Sequence, residues 1–171
     1  MDIGIIVLRL AHIIGGVLWA GGAIFLTWFI EPTAESLGPK AGPFMNALTE
    51  RKIGVYFSIA ATLAVLAGTA MYWIDSNGDP VTFFTKTSFG LWLGIGGILA
   101  WIAWIIGFTM VRTLTDRMGR ASAQLAGLDG PPPASVMAEI QAVQARLHRV
   151  GLIDFWLISG AIGLMAAARY L

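Results

Sequence analysis

The residues of this chain that could do chemistry are few, and His12 stands first among them. Arg9, His12, Gly16, Trp19 and Ala23 recur at steps of three or four, which puts them on one face of a helix, flanked by Gly15. An imidazole bordered by glycines, with an indole one or two turns on, leaves space for a flat ring against the helix backbone. Neutral imidazole ligates iron or copper, and histidine is the usual axial ligand of b-type haem. Arg9 could pair with a propionate or another anion. The same residues also suit a plainer role, in which His12 donates a hydrogen bond to a neighbouring helix and the glycines serve packing. Polar side chains inside a membrane are functional by default but not by necessity.

The elements that must position His12 are membrane helices. Of 171 residues, 57% are hydrophobic and 12% charged, with a mean hydropathy of +0.75. A soluble domain carries roughly 25% charged residues, interleaved with apolar ones. Here the charges gather in short stretches between apolar runs of about 20 residues, enough to cross a hydrocarbon layer as helices. The pattern predicts an all-α, integral membrane four-helix bundle forming one domain over residues 1–171, with spans at about 3–30, 53–73, 89–114 and 150–170. The first span is expected to stop at Glu31-Pro32, where proline cannot continue the hydrogen bonding. The second ends in Asp75-Ser76-Asn77-Gly78-Asp79-Pro80, a strong turn signal. Neither a basic leader nor an uninterrupted apolar stretch opens the chain, so the first run reads as a membrane helix and not a signal peptide.

Basic residues set the expected orientation. Lys40, Arg51, Lys52, Arg112, Arg117, Arg120, Arg146 and Arg149 fall in the loops after spans one and three, which is eight of the 11 Lys and Arg. Those loops are placed in the cytoplasm of a bacterium, with both termini on the outer, periplasmic side of the inner (plasma) membrane. After the breaker Leu128 to Ala134, a helix capped by Ser135 is expected. Val136, Ile140, Val143 and Leu147 recur along it at helical spacing. This cytoplasmic amphipathic segment, about 134–149, either continues into span four or lies on the membrane surface. Gly15, Gly16, Gly21 and Gly22 in span one, and Gly90, Gly94, Gly96 and Gly97 in span three, suit close helix packing.

With that topology, Arg9, Lys86 and Arg169 gather with His12 at the outer level, where cations suit a ligand bearing carboxylates. Lys86 and Arg169 also suit snorkelling to headgroups. His148 falls at the opposite face, too far to share a metal with His12. A second ligand for a His12-bound metal would be water, nothing, or a methionine, Met165 or Met71, both of which also suit core filling. Asp154, the one acid well inside a span, is expected to pair with Arg149, Arg112 or Arg51, or to take part in proton transfer. Trp28, Tyr72, Trp73 and Tyr170 fall at span ends as an aromatic belt.

Cysteine is absent, which excludes disulfides, iron–sulfur clusters and thiolate metal sites. The net charge of +1 gives no reason to expect nucleic acid. No P-loop, HExxH or pair of intramembrane carboxylates occurs, and there is no clear inverted repeat.

The stretch Arg9-Leu10-Ala11-His12-Ile13-Ile14-Gly15-Gly16-Val17-Leu18-Trp19-Ala20-Gly21-Gly22 carries the pattern H-x6-W-x-G-G. It resembles the first helix of repeats in the copper-resistance protein D family. With the basic residue three before the histidine, it also resembles HemJ-type protoporphyrinogen oxidases. Those are four-helix membrane proteins that bind b-type haem and use a histidine in the first helix and a lysine before the third. His12 and Lys86 (in Phe84-Thr85-Lys86-Thr87) match those two positions, and Arg146 to Leu157 is a weaker echo with Asp154 in place of glutamate. The HemJ continuation after span one is missing, span three has no histidine, and the segment Arg117 to Ala145 is longer. The resemblance implies membership of this broad superfamily and not HemJ activity itself.

Together these readings lead to an expectation of a membrane protein binding haem b or a porphyrin, with a redox role, His12 as axial ligand, and Arg9, Lys86 and Arg169 on the propionates. Gly16 and Trp19 shape the ring site. A quinone or porphyrin is the natural partner within the bilayer. Copper handling or transport through His12 with Met71 or Met165 is the alternative. A non-catalytic subunit, forming a homo-oligomer or joining a larger membrane complex, is the third.

Overall fold

A computed structural model describes residues 3–37, 41–126 and 133–171, without the side chains of residue 46 and of 122–126. Lys40 and most of the stretch Leu128 to Ala134 lie outside the described residues. The described chain is all-helical, in the order α1 (Ile3–Phe25), a π turn (Leu26–Ile30), α2 (Glu31–Leu37), α3 (Ala41–Glu50), α4 (Ile53–Asp75), α5 (Pro80–Lys86), α6 (Ser88–Ile106), a second π turn (Gly107–Val111), α7 (Arg112–Ala126), α8 (Ala134–Ala167) and a 3-10 turn (Ala168–Tyr170). Four continuous rods, Ile3–Leu37, Ile53–Asp75, Ser88–Ala121 and Ala134–Tyr170, are long and apolar enough to cross a membrane. The chain is thus a four-rod membrane bundle. α1 packs chiefly on α4 and α6 on α8, while α4 with α6 and α8 with α1 close the ring.

Span one does not stop at Pro32. Glu31 donates its backbone N–H to the Leu26 carbonyl, an i to i+5 bond that widens the helix just before the proline. A proline removes one donor and crowds the carbonyl four residues back. The wide turn absorbs both effects and lets the rod run on through α2.

The second π turn carries span three past residue 114 in the same way, into α7. Span four and the segment at 134–149 form one helix of 34 residues, about 51 Å at 1.5 Å per residue. Its lower part packs on α7, where Val143, Leu147 and Val150 meet Leu114 and Met118. Ser135 is not the cap. The cap is two residues earlier, at Pro133, whose carbonyl accepts from Val136 and Met137.

Small residues decide how closely the rods approach. The centre of the bundle is mostly alanine, with Ala60, Ala61, Ala64 and Ala103 at most 6% exposed around Trp19 and Ile158. A Cβ built on Gly15 would stand 2.8 Å from the Ala60 carbonyl oxygen and 2.9 Å from the Ala64 nitrogen, so α1 and α4 touch backbone to backbone there. Lipid gives no hydrophobic drive for association, so such contacts and interhelical hydrogen bonds hold the rods together. Trp101 and Trp104 of α6 supply two of these bonds, donating indole N–H to the hydroxyls of Thr69 and Thr62 in α4, each at 3.0 Å. Outward, large apolar side chains such as Val7, Val17, Ile59 and Trp156 are exposed, the face a bundle presents to lipid acyl chains.

Candidate functional site

His12 lies on the inner side of the α1–α4 seam, half-buried. Its Nδ1 stands 2.7 Å from the Ala64 carbonyl oxygen. A carbonyl can only accept, so Nδ1 carries the proton and donates. In the neutral ring Nε2 is then the acceptor nitrogen, and no hydrogen bond engages it among the described residues. The ring fits because α4 has glycine four residues after Ala64: a Cβ on Gly68 would stand 2.8 Å from both Cε1 and Nδ1.

The same arrangement recurs twice. Tyr72 donates to the Gly90 carbonyl at 2.9 Å, with its oxygen 2.8 Å from where a Cβ on Gly94 would be. Tyr56 donates to the Leu18 carbonyl at 3.0 Å, and the Tyr56 and Phe57 rings fill the side-chain space of Gly22. In each case a carbonyl already inside a helix accepts a second bond beside a glycine one turn on. Tyr72 is therefore a tie between α4 and α6 and does more than mark a membrane boundary.

Around His12 the other expected site residues divide. Gly16, one turn on, faces open space, with nothing within 4 Å of a Cβ built on it. Trp19 is buried at 7% exposure in the alanine core, where it packs as part of that core. Arg9 is exposed and lines a small cleft with Ile5, Met71, Ile74 and Asp75, one turn toward the end of the bundle. Met71 thus shares the α1–α4 seam with Arg9 and His12. Met165 does not: it packs over Gly96 in the α6–α8 seam, its Cγ 2.9 Å from a Cβ built there. Lys86 closes α5, and Arg169 lies in the 3-10 turn after α8. Both are exposed, at the end of the bundle shared with Arg9, and none of the three makes an ion pair among the described residues. No group of three or more His, Asp or Glu side chains suited to a metal occurs among the described residues.

At the opposite end, His148 stands 3.3 Å from the Glu31 carboxylate, which also lies over Gly151. This separates His148 from His12 as expected. The expected ion pairs of Asp154 with Arg149, Arg112 or Arg51 are absent among the described residues. Its Oδ1 is buried with no hydrogen-bond partner, and the Arg112 guanidinium lies instead over the Phe108 ring, 5.8 Å from its centroid. Outside the bundle core, a groove of about 620 Å³ runs along the α1–α4 seam, lined by residues such as Leu8, Ala11, Leu63 and Leu66 with the Ser58 and Thr62 side chains. His12 is not part of that lining.

Comparison with models of known protein families, with curated proteins and with solved structures finds no match to this chain.

Proposed function

We propose that this chain is a redox protein of the bacterial inner membrane that binds haem b or a related porphyrin through Nε2 of His12. The observation that carries the reading is the bond from His12 Nδ1–H to the Ala64 carbonyl at 2.7 Å. Metal-ligating histidines donate their other ring nitrogen to a carbonyl or carboxylate in this way, which fixes the tautomer, orients the ring and raises the basicity of the free nitrogen. Open space beside Gly16 supports a flat ring along α1, and the exposed Arg9 guanidinium suits a propionate. Lys86 and Arg169, exposed at the same end, suit the second propionate or lipid phosphates. The cluster of basic residues at the other end supports a topology with both termini on the outer face.

Bound haem would supply one-electron exchange, with a quinone or porphyrin as the reactant dissolved in the bilayer. The chain's own part is to hold the His12 ring through its Nδ1–H bond to Ala64, in the notch at Gly68, and to place cations at the rim.

The position of Met71 supports a second reading, Cu(I) held by His12 and a thioether. Met71 lies in the same seam as His12, whereas Met165 lies in the other.

Visible spectra of the purified protein, oxidised and reduced, beside His12→Ala test the first reading. A Soret band with reduced α and β bands, lost in the variant, is the expected result. A colourless protein that gains no bands on adding hemin overturns it. Tight Cu(I) binding lost in Met71→Leu and retained in Met165→Leu would then support the second.

A further inference from the structure

We propose that Asp154 is a proton-binding site inside the bundle, loaded from the basic end of the molecule through Glu31 and His148. Val143, Leu147, Val150, Asp154, Ile158 and Ala161 recur at steps of three or four along α8, and this stripe faces the core. Asp154 stands in it between buried Val150 and buried Ile158, with Oδ1 enclosed and unpartnered among the described residues. An unpaired carboxylate in such surroundings is costly, and uptake of a proton removes the charge.

The backbone around this level is unusual. α8 packs against both π turns. Trp28 of the first turn meets Phe155 edge-on at 5.9 Å. Ile106 and Val111, at the ends of the second turn, cluster with Val150. Single π turns inside α-helices recur at functional sites, and here two of them pack on α8 at Phe155 and Val150, beside Asp154 and one turn before it.

A route to the surface is also present. His148, Gly151 and Asp154 follow at three-residue steps, about 4.5 Å of rise each. The Glu31 carboxylate lies over the middle step, 3.7 Å from a Cβ built on Gly151, and touches His148, which is exposed. Glu35, exposed one turn beyond Glu31 in α2, bears on the Glu31 carboxylate through its charge. Arg112 covers Phe108, Arg146 and Arg149 are exposed, and Tyr56 is bonded to Leu18. Between Ile13 and Ile30, and throughout α6, there is no titratable side chain. The transfer moves one proton and no electrons: the O–H bond on Glu31 breaks as one forms on Asp154 across an intervening water, and Glu31 regains its proton from His148 or bulk water.

Infrared difference spectra of the full chain in phosphatidylcholine vesicles, taken across a pH titration, test this directly. A carboxylic-acid C=O band that titrates, vanishes in Asp154→Asn and shifts in Asp154→Glu is expected. The glutamate variant retains the acid and serves if the asparagine variant fails to fold. In Glu31→Gln the band persists but its exchange with bulk deuterium slows, on the order of a hundredfold, the contribution of a positioned proton-transfer group. No band in the wild type, or one unchanged in both Asp154 variants, overturns the site. An exchange rate indifferent to Glu31→Gln and His148→Gln overturns the route. Loss of the band on adding Na⁺ or K⁺ at fixed pH would show that the carboxyl holds a cation in place of the proton, and overturns the assignment. None of these outcomes depends on a cofactor at His12.

Discussion

The imidazole of His12 occupies the space that a side chain on Gly68 would fill, and from there it reaches the carbonyl of Ala64, one turn earlier in α4. Gly68→Ala is therefore a test of the histidine as much as of the glycine. On helix propensity alone alanine is favoured over glycine by about 1 kcal/mol. Here its Cβ would stand 2.8 Å from two ring atoms. Overpacking of that kind costs about 1–3 kcal/mol. The expected outcome is a lower unfolding midpoint in detergent, together with loss of the Nδ1-protonated tautomer in the 15N spectrum of His12. An unchanged tautomer would mean that the ring does not depend on the notch.

The four spans were legible because their signal is composition over some twenty residues, which no local detail can reverse. Rod ends were not. Pro32 reads as a stop only if the helix keeps its i to i+4 bonding, and the π turn before it changes that bonding. Ser135 has the chemistry of a cap, but Pro133, with non-helical ψ, takes that place two residues earlier. α3 and α5 were missed, being short and without a long apolar run, although Asp79-Pro80 is the pattern of a cap followed by proline at the first helical position. At the site, one face of α1 could be read from spacing, whereas the acceptor of His12 could not, since no spacing rule links residue 12 to residue 64. The orphaned Asp154 was masked by nearby arginines. Sequence proximity suggests ion pairs, but the exposed side chains of Arg146 and Arg149 lie away from the core stripe that Asp154 occupies.

The two indole–hydroxyl bonds between α6 and α4 should be measurable one by one. Thr62→Val leaves the Trp104 N–H without its acceptor, and Thr69→Val does the same for Trp101. Interhelical hydrogen bonds in membranes average about 0.6 kcal/mol and reach about 1.7 kcal/mol. Each valine should lower stability by an amount in that range. A double-mutant cycle of Thr62→Val with Trp104→Phe should recover a coupling of the same size, and a coupling of zero would show that the half-buried indole finds another partner.

Asp79 should make the turn between α4 and α5 sensitive to acid. The Thr82 backbone N–H donates to its Oδ1 at 3.0 Å, and this bond holds the carboxyl below the usual aspartate range. A carboxyl that titrates lower when folded than when unfolded stabilises the fold above the ordinary aspartate range. That contribution fades as the pH falls through the folded value. Protection of the Thr82 amide against exchange should decline over that acidic window in the wild type. Asp79→Asn, which keeps an acceptor but not the charge, should show no such dependence, and Asp79→Ala should be unprotected throughout.

Gly15 and Gly16 are neighbours in sequence with opposite surroundings, and the pair separates close packing from open space. Alanine at Gly15 places its methyl against backbone atoms of Ala60 and Ala64, which cannot turn aside as a side chain could. α1 and α4 must part, and the His12–Ala64 bond lengthens with them. Gly15→Ala should lower the unfolding midpoint and, if His12 holds haem as proposed, weaken hemin binding. Gly16→Ala meets nothing within 4 Å and should be neutral or slightly stabilising. A larger residue at the same position gives the sharper experiment. Gly16→Leu should leave stability intact while filling the open space one turn on from His12. If a macrocycle lies there, hemin-dependent absorbance is lost without loss of fold. If absorbance survives, the ring lies elsewhere and Gly16 has no part in holding it.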